Sequence, residues 1–186
     1  WRPRKHQLKL WGYLEHGGKR AIEVAHRRWG KDDVALHWGA VAAMTRVGGM
    51  FHMLPEYAQA RKAIWTAVNP HTGKRRIDEA FPHVIRENTN EQEMFIRFKN
   101  GSTWQVVGSD NYNALMCSPP VGIVFSEWAL SNPVSWAYLR PVMLENQGWA
   151  LFNYTRRGRN HGFTTLQTAQ AEPGGFAEVL TVDQTT

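Results

Sequence analysis

The sequence predicts a single α/β domain built on a mainly parallel central β-sheet flanked by helices. Three observations lead there. Short apolar runs of strand length alternate with longer helical patterns. Glycine- and proline-bearing turns separate them. A chain of 186 residues that is 42% hydrophobic has enough apolar mass for one buried core.

The elements follow in order. Trp1 to Gly17 carries Leu8, Leu10, Trp11 and Leu14 among basic residues, an amphipathic helix stopped by the pair Gly17 and Gly18. Ala21 to Ala25 reads as a strand, His26 to Asp33 as a loop, and Val34 to Val47 as a buried helix. Met50 to Leu54 is a second strand, broken by Pro55 and followed by a helix over Tyr57 to Val68. Asn69 to Arg76 is rich in turn formers and is predicted as an exposed loop. Short strands are predicted at Val84 to Ile85, Glu93 to Phe98 and Ser102 to Val107, the last two forming a hairpin around Asn100 and Gly101. Val121 to Phe125 is the most strand-like run, and Val134 to Glu145 reads as a helix. A further strand spans Trp149 to Tyr154. The domain is predicted to occupy 1–178, with residues 179–186 reading as the start of a linker.

Composition excludes several classes. One cysteine, Cys117, leaves neither an internal disulfide nor a cysteine-rich zinc module. No run approaches the ~20 apolar residues of a membrane span, so a soluble intracellular protein is expected. Lys and Arg exceed Asp and Glu by 22 to 16, a net charge of +6 that suits a polyanionic partner.

The chemistry concentrates in two segments. AHRRWGKD runs from a strand into a helix and matches the phosphate-loop pattern GxxxxGK(S/T), with Ala25 at the first glycine and Asp32 at the hydroxyl position. In such a loop Gly30 lets the backbone approach phosphate oxygens, the helix start supplies N–H groups, and Lys31 reaches the β and γ phosphates. The second segment, VGIVFSEW, delivers Ser126 and Glu127 to the carboxyl end of a predicted central strand, the edge where α/β proteins bind ligands. A carboxylate there can orient an attacking water.

Together these residues resemble the ATPase domain of the large terminase subunit of tailed bacteriophages, the motor that packages viral DNA. HRRWGKD is similar to its arginine-containing Walker A loop and VGIVFSEWAL to its Walker B strand with catalytic glutamate. GWALFNYTRRGRNHGF is similar to its coupling motif, and RPRKHQ to its upstream glutamine motif. The resemblance implies a P-loop NTPase fold of the ASCE type, ATP and Mg²⁺ at the site, and ATP-driven translocation of double-stranded DNA into a procapsid. It assigns Gln7 to adenine, and the run Arg27, Arg28, Trp29, Gly30, Lys31, Asp32 and Asp33 to the nucleotide. Arg27 acts on the γ phosphate, Glu127 on the water, and Thr155 and Gly158 in coupling. A portal protein, a small terminase subunit and a ring of copies are the implied partners, in the cytoplasm of an infected bacterial host. A monomer in solution is compatible with that. Large terminases also carry a nuclease domain, which lies outside the segment matched here, and no DNA cleavage is expected from this chain.

Two departures bear on the metal. Magnesium in this resemblance needs a loop hydroxyl and a strand carboxylate, whereas the sequence has Asp32 and Ser126, the two ligand types exchanged. The exchange preserves a magnesium pair but sets a carboxylate beside the phosphates, a repulsion of about 4 kcal/mol per unit-charge pair at ~4 Å and an effective dielectric of ~20. Arg156 stands where the coupling motif has proline. An arginine acting between subunits is not identified, with Arg140 and Arg157 as candidates, so slow turnover by an isolated monomer is expected.

Lys74, Arg75 and Arg76 in one loop, with Arg156 and Arg159 in another, are candidate contacts to DNA phosphates. Two other function classes share parts of this pattern: a P-loop helicase or translocase outside packaging, and a nucleotide- or DNA-binding module that does not hydrolyse.

Overall fold

The computed structural model describes residues 1–117 and 119–185, apart from the side chains of Ala114, Met116 and Cys117. Its first helix, α1 (Leu8–Glu15), follows a 3-10 turn at Lys5–Gln7. Strand β1 (Arg20–Ala25) leads through the loop 26–30 into α2 (Lys31–Thr45), then β2 (Gly49–Leu54) and α3 (Tyr57–Ala60). After α4 (Arg76–Ala80) come β3 (Arg86–Asn90), β4 (Phe95–Phe98), β5 (Thr103–Gly108) and β6 (Pro120–Ser126). Helix α5 (Val134–Glu145), β7 (Trp149–Tyr154), α6 (His161–Ala171) and β8 (Phe176–Leu180) complete the order.

The strands form one sheet of eight in the order β3-β4-β5-β2-β6-β7-β1-β8. The run from β5 to β8 is parallel, and β3, β4 and β5 add an antiparallel edge. β1 and β6 are buried on both faces, which is why they read as continuous apolar runs rather than as alternation. One core layer packs α1 and α2 on a sheet face through Leu10, Leu14, Val34, Leu36 and Trp38. The other packs Leu139 of α5 and Leu166 of α6 against Phe125 and Phe152. Every crossover from a parallel strand therefore delivers its loop to the same carboxyl edge.

Several expectations are corrected. Val84 and Ile85 lie in a 3-10 turn, because Pro82 starts it, and the strand begins only at Arg86. The helix after β2 turns from α to π over Arg61–Trp65 and ends there. Val68 instead bridges to Arg75, and Arg76 already opens α4, so the exposed loop is shorter than predicted. α6 has no counterpart among the predicted elements; its signal is Asn160, whose Oδ1 caps Gly162 N at 3.0 Å. The sheet runs on through Val179 and Leu180 of β8, so the first two residues of the predicted linker are strand. Thr186, the last of that stretch, lies outside the described residues. No helix among the described residues is long and apolar enough to cross a membrane.

Candidate functional site

The loop between β1 and α2 is braced from within. Gln7 is 1% exposed. Its Nε2 donates to the Trp29 carbonyl at 3.0 Å, and its Oε1 accepts from Arg4 N at 2.9 Å. Gly30 holds φ +92°, and a Cβ there would sit 2.8 Å from that Nε2. Glycine is thus required twice, by conformation and by space. The Trp29 ring is buried at 1% exposure, with the His6 ring tilted against it at 5.4 Å. Gln7 and Trp29 therefore shape the loop, and in this structure neither presents its polar or aromatic surface outward. Arg27 and Arg28 are exposed, Arg28 at φ 66°, in the sparsely populated left-handed region.

Lys31 opens α2 and turns back into the loop, 9% exposed. Its Nζ donates to Ala25 O at 3.2 Å, His26 O at 3.1 Å and Thr155 Oγ1 at 3.1 Å. An ammonium has three hydrogens, so a phosphate would replace at least one of these acceptors. Burial pushes its pKa down, opposed by the carboxylates of Glu127, Asp32 and Glu23. Thr155 Oγ1 in turn donates to Ala25 O at 3.1 Å, tying the end of β7 to the end of β1.

Asp32 and Ser126 meet. Ser126 Oγ, 1% exposed, donates to Asp32 Oδ1 at 2.9 Å, and His52 Nε2 lies 2.9 Å from the same Oγ. Complete burial pushes the His52 pKa down to about 4, leaving a neutral ring at neutral pH. The oxygens of Asp32 and Ser126 are the hard donors that magnesium takes, so the pair fits that ion. Among the described residues no three His, Cys, Asp or Glu side chains converge as a metal cage. A magnesium ion here would complete its shell with phosphate oxygens and water, its usual habit. Glu127 follows at φ 55°, half-buried. The left-handed turn costs a non-glycine residue roughly 1–3 kcal/mol and lifts this carboxylate off the strand direction at the sheet edge.

Sequence reasoning missed a polar row beneath the loop. The register sets Glu178, Glu23 and Asn153 side by side on β8, β1 and β7, and Ser126 of β6 beside Asn153. Glu23 is fully buried and Asn153 1% exposed, and neither side chain has a hydrogen-bond partner among the described residues. Burial pushes Glu23 up to about 8, reinforced by the Glu178 carboxylate and opposed by Lys31 and Lys9. The signal for this row was available as Glu23 inside an otherwise apolar strand.

The remaining predicted residues divide. Asp33 pairs with Arg76 at 3.6 Å, which brings Arg76 to the base of α2 beside the loop. Arg75 is held by Asp78 at 2.9 Å and Glu91 at 3.0 Å, while Lys74 is exposed. Arg156, Arg157 and Arg159 are exposed in the turn after Thr155, where Gly158 takes φ 65°. Arg140 is exposed on α5, across the sheet from α2.

No family model and no curated protein matches the sequence. Solved structures do match the fold. The large terminase ATPase domain of Thermus phage P74-26 superposes with a TM-score of 0.70 at 20% identity, covering 96% of this chain and 74% of that one. The large terminase of a thermophilic bacteriophage superposes with a TM-score of 0.76 at 16% identity, covering 99% of this chain and 47% of that one. The same large terminase in complex with ATP-γ-S gives 0.71 at 16% identity, over 97% and 45% of the two chains. This chain thus spans about half the length of that full large terminase.

Proposed function

From a fold shared with phage large-terminase ATPase domains, we propose that this chain is the ATP-hydrolysing motor domain of a DNA-packaging terminase, coupling hydrolysis to translocation of double-stranded DNA. One observation carries the reading. Lys31, the Asp32–Ser126 pair and Thr155 converge at the carboxyl edge of adjacent parallel strands, with Glu127 next in line.

Each residue has work there. Backbone N–H groups at the start of α2, left unbonded by helix geometry, and the Lys31 ammonium receive the phosphates. Asp32 and Ser126 would hold Mg²⁺, which when bound neutralises phosphate charge. Glu127 orients water as a general base, and Arg27, exposed on the loop, reaches the γ phosphate. Removal of that phosphate changes what Lys31 donates to, and Thr155, bonded to the same ammonium, passes the change to β7 and the Arg156–Arg159 turn. This turn and Lys74 are the surfaces proposed to grip DNA phosphates, without sequence preference and with a steep salt dependence. Arg75 is less suited, since Asp78 and Glu91 already neutralise it, and Arg76 serves the loop through Asp33. Portal, small subunit and neighbouring copies are the further proposed partners, in the host cytoplasm.

The test is magnesium-dependent ATP hydrolysis by the chain beside Lys31→Ala and Glu127→Ala, with nucleotide affinity measured on all three. Loss of hydrolysis in both variants, with binding retained in Glu127→Ala, is expected. Binding without hydrolysis in the parent would mean either that a neighbour's arginine is missing or that the exchanged Asp32 and Ser126 have silenced the site, and no binding would overturn the assignment of the loop.

A further inference from the structure

His52 belongs to none of the sequence motifs, yet its ring is the innermost member of a hydrogen-bonded chain that reaches the proposed phosphate site. It sits on β2, adjacent to β6, with no exposed surface. The Trp104 ring meets it edge-on, with ring centroids 5.9 Å apart. Nε2 lies 2.9 Å from Ser126 Oγ, which lies 2.9 Å from Asp32 Oδ1.

Counting hydrogens sets the direction of this chain. The Ser126 hydroxyl has one hydrogen and gives it to the Asp32 carboxylate, which can only accept. The contact with His52 then requires the ring hydrogen on Nε2. In the neutral ring Nδ1 then carries no hydrogen, and it is the ring nitrogen without a partner among the described residues.

This arrangement answers a difficulty created by the exchange of ligand types. A serine hydroxyl hydrogen turns about the C–O bond, so the directions in which Oγ donates and accepts are set by its partners. At position 126 those partners are Asp32, which takes the hydrogen, and His52, which faces the lone pairs. We propose that His52 is a positioning residue for the magnesium-binding pair, its Nε2–H locking the Ser126 hydroxyl so that Ser126 and Asp32 act as one rigid two-oxygen unit. The proposal rests on the reading of this site as one for magnesium nucleotide. Partners of this kind behind metal ligands typically change metal affinity by about 10–100-fold when removed.

The experiment has two arms. The first needs no variant: long-range proton–nitrogen correlation of the ¹⁵N-histidine-labelled chain reports the tautomer of His52. Nε2–H is expected, and Nδ1–H would overturn the proposal. The second measures ADP affinity with and without Mg²⁺ for the parent, His52→Leu and His52→Gln, since a glutamine amide can place a donor near the position of Nε2. In His52→Leu the gain in affinity conferred by magnesium falls by about 10–100-fold, while metal-free affinity stays at the parent value. His52→Gln restores most of that gain. A folded His52→Leu with the parent's magnesium gain, or a His52→Gln lacking that gain, would overturn the proposal. If His52→Leu does not fold, the spectrum and the glutamine variant decide alone. A parent that binds no ADP under any condition would instead remove the nucleotide reading itself and the magnesium role with it.

Discussion

The Lys31 ammonium and the Thr155 hydroxyl lie 3.1 Å apart although 124 residues separate them in sequence. The same hydroxyl donates to the Ala25 carbonyl, so one threonine binds both the last residue of β1 and the lysine that opens α2. Under the proposed function, a change in what Lys31 holds would be felt at the end of β7.

Replacing Thr155 with valine keeps the shape and removes both bonds. Stability is expected to drop by about 1 kcal/mol. Nucleotide affinity should move little while hydrolysis falls by roughly tenfold or more, a transition-state loss of about 1.4 kcal/mol. Thr155→Ser should recover most of the rate. Steady-state hydrolysis beside calorimetric binding separates the two quantities, and unchanged turnover in the valine variant would remove Thr155 from the coupling path.

Gly30→Ala forces a side chain into the left-handed region, at about 1–2 kcal/mol, and against Gln7 Nε2. Chemical denaturation should show that loss together with weakened nucleotide binding. Gly12→Ala is the control, since a Cβ on this helical glycine meets nothing within 4 Å. It should stabilise by about 0.5–1 kcal/mol.

Gln7→Leu removes the amide donor to the Trp29 carbonyl, which keeps only His6 Nε2 at 3.4 Å, and the acceptor of Arg4 N, a loss of about 1–3 kcal/mol for the two bonds. Affinity for ADP and GDP should weaken in parallel, because the loop loses its brace. A variant of parental stability that discriminates adenine from guanine less well would instead make Gln7 a base contact.

Glu23 dictates a pH dependence. Its folded pKa, about 8, is above the ordinary 4.5, so the folded state holds the extra proton between those values. Stability from this group is complete below pH ~4.5 and is lost as pH rises toward 8, with a slope of at most about 1.4 kcal/mol per pH unit. Denaturation midpoints measured from pH 5 to pH 9 should fall less in Glu23→Gln than in the parent. Parallel curves for the two proteins would show that Glu23 is ionised throughout.

In the proposed site Asp32 is expected to make nucleotide binding depend on magnesium, because its carboxylate beside the phosphates would be unfavourable until a cation lies between them. Titration with and without the ion should show a large difference in the parent and a smaller one in Asp32→Asn, whose metal-free affinity should rise. Equal affinities in the parent would overturn this role for Asp32.

Much of the fold was legible because it rests on local chemistry. β1, β2, β6 and β7 are runs of apolar residues of strand length, and Asn100 with Gly101 marks the hairpin between β4 and β5, so their positions emerged within a few residues. α6 did not, because its helix-forming pattern is weak and its start depends on the Asn160 side chain, which also donates to Ala129 O. β8 is short, with Glu178 in the middle of an apolar run and every residue only half-covered at the edge of the sheet, and its pairing with β1 is what makes it a strand.

By itself the sequence determined that Gly30 and Lys31 join a strand to a helix and that Ser126 and Glu127 end another strand, since glycine geometry, helix starts and strand burial act over a few residues. Only the tertiary structure decided that Asp32 lies on Ser126, that His52 stands behind them, that Gln7 braces the loop and that Arg76 is drawn to Asp33. Those are contacts between segments far apart in the chain. They depend on which strands become neighbours, a choice made by the burial of two whole sheet faces rather than by any one residue.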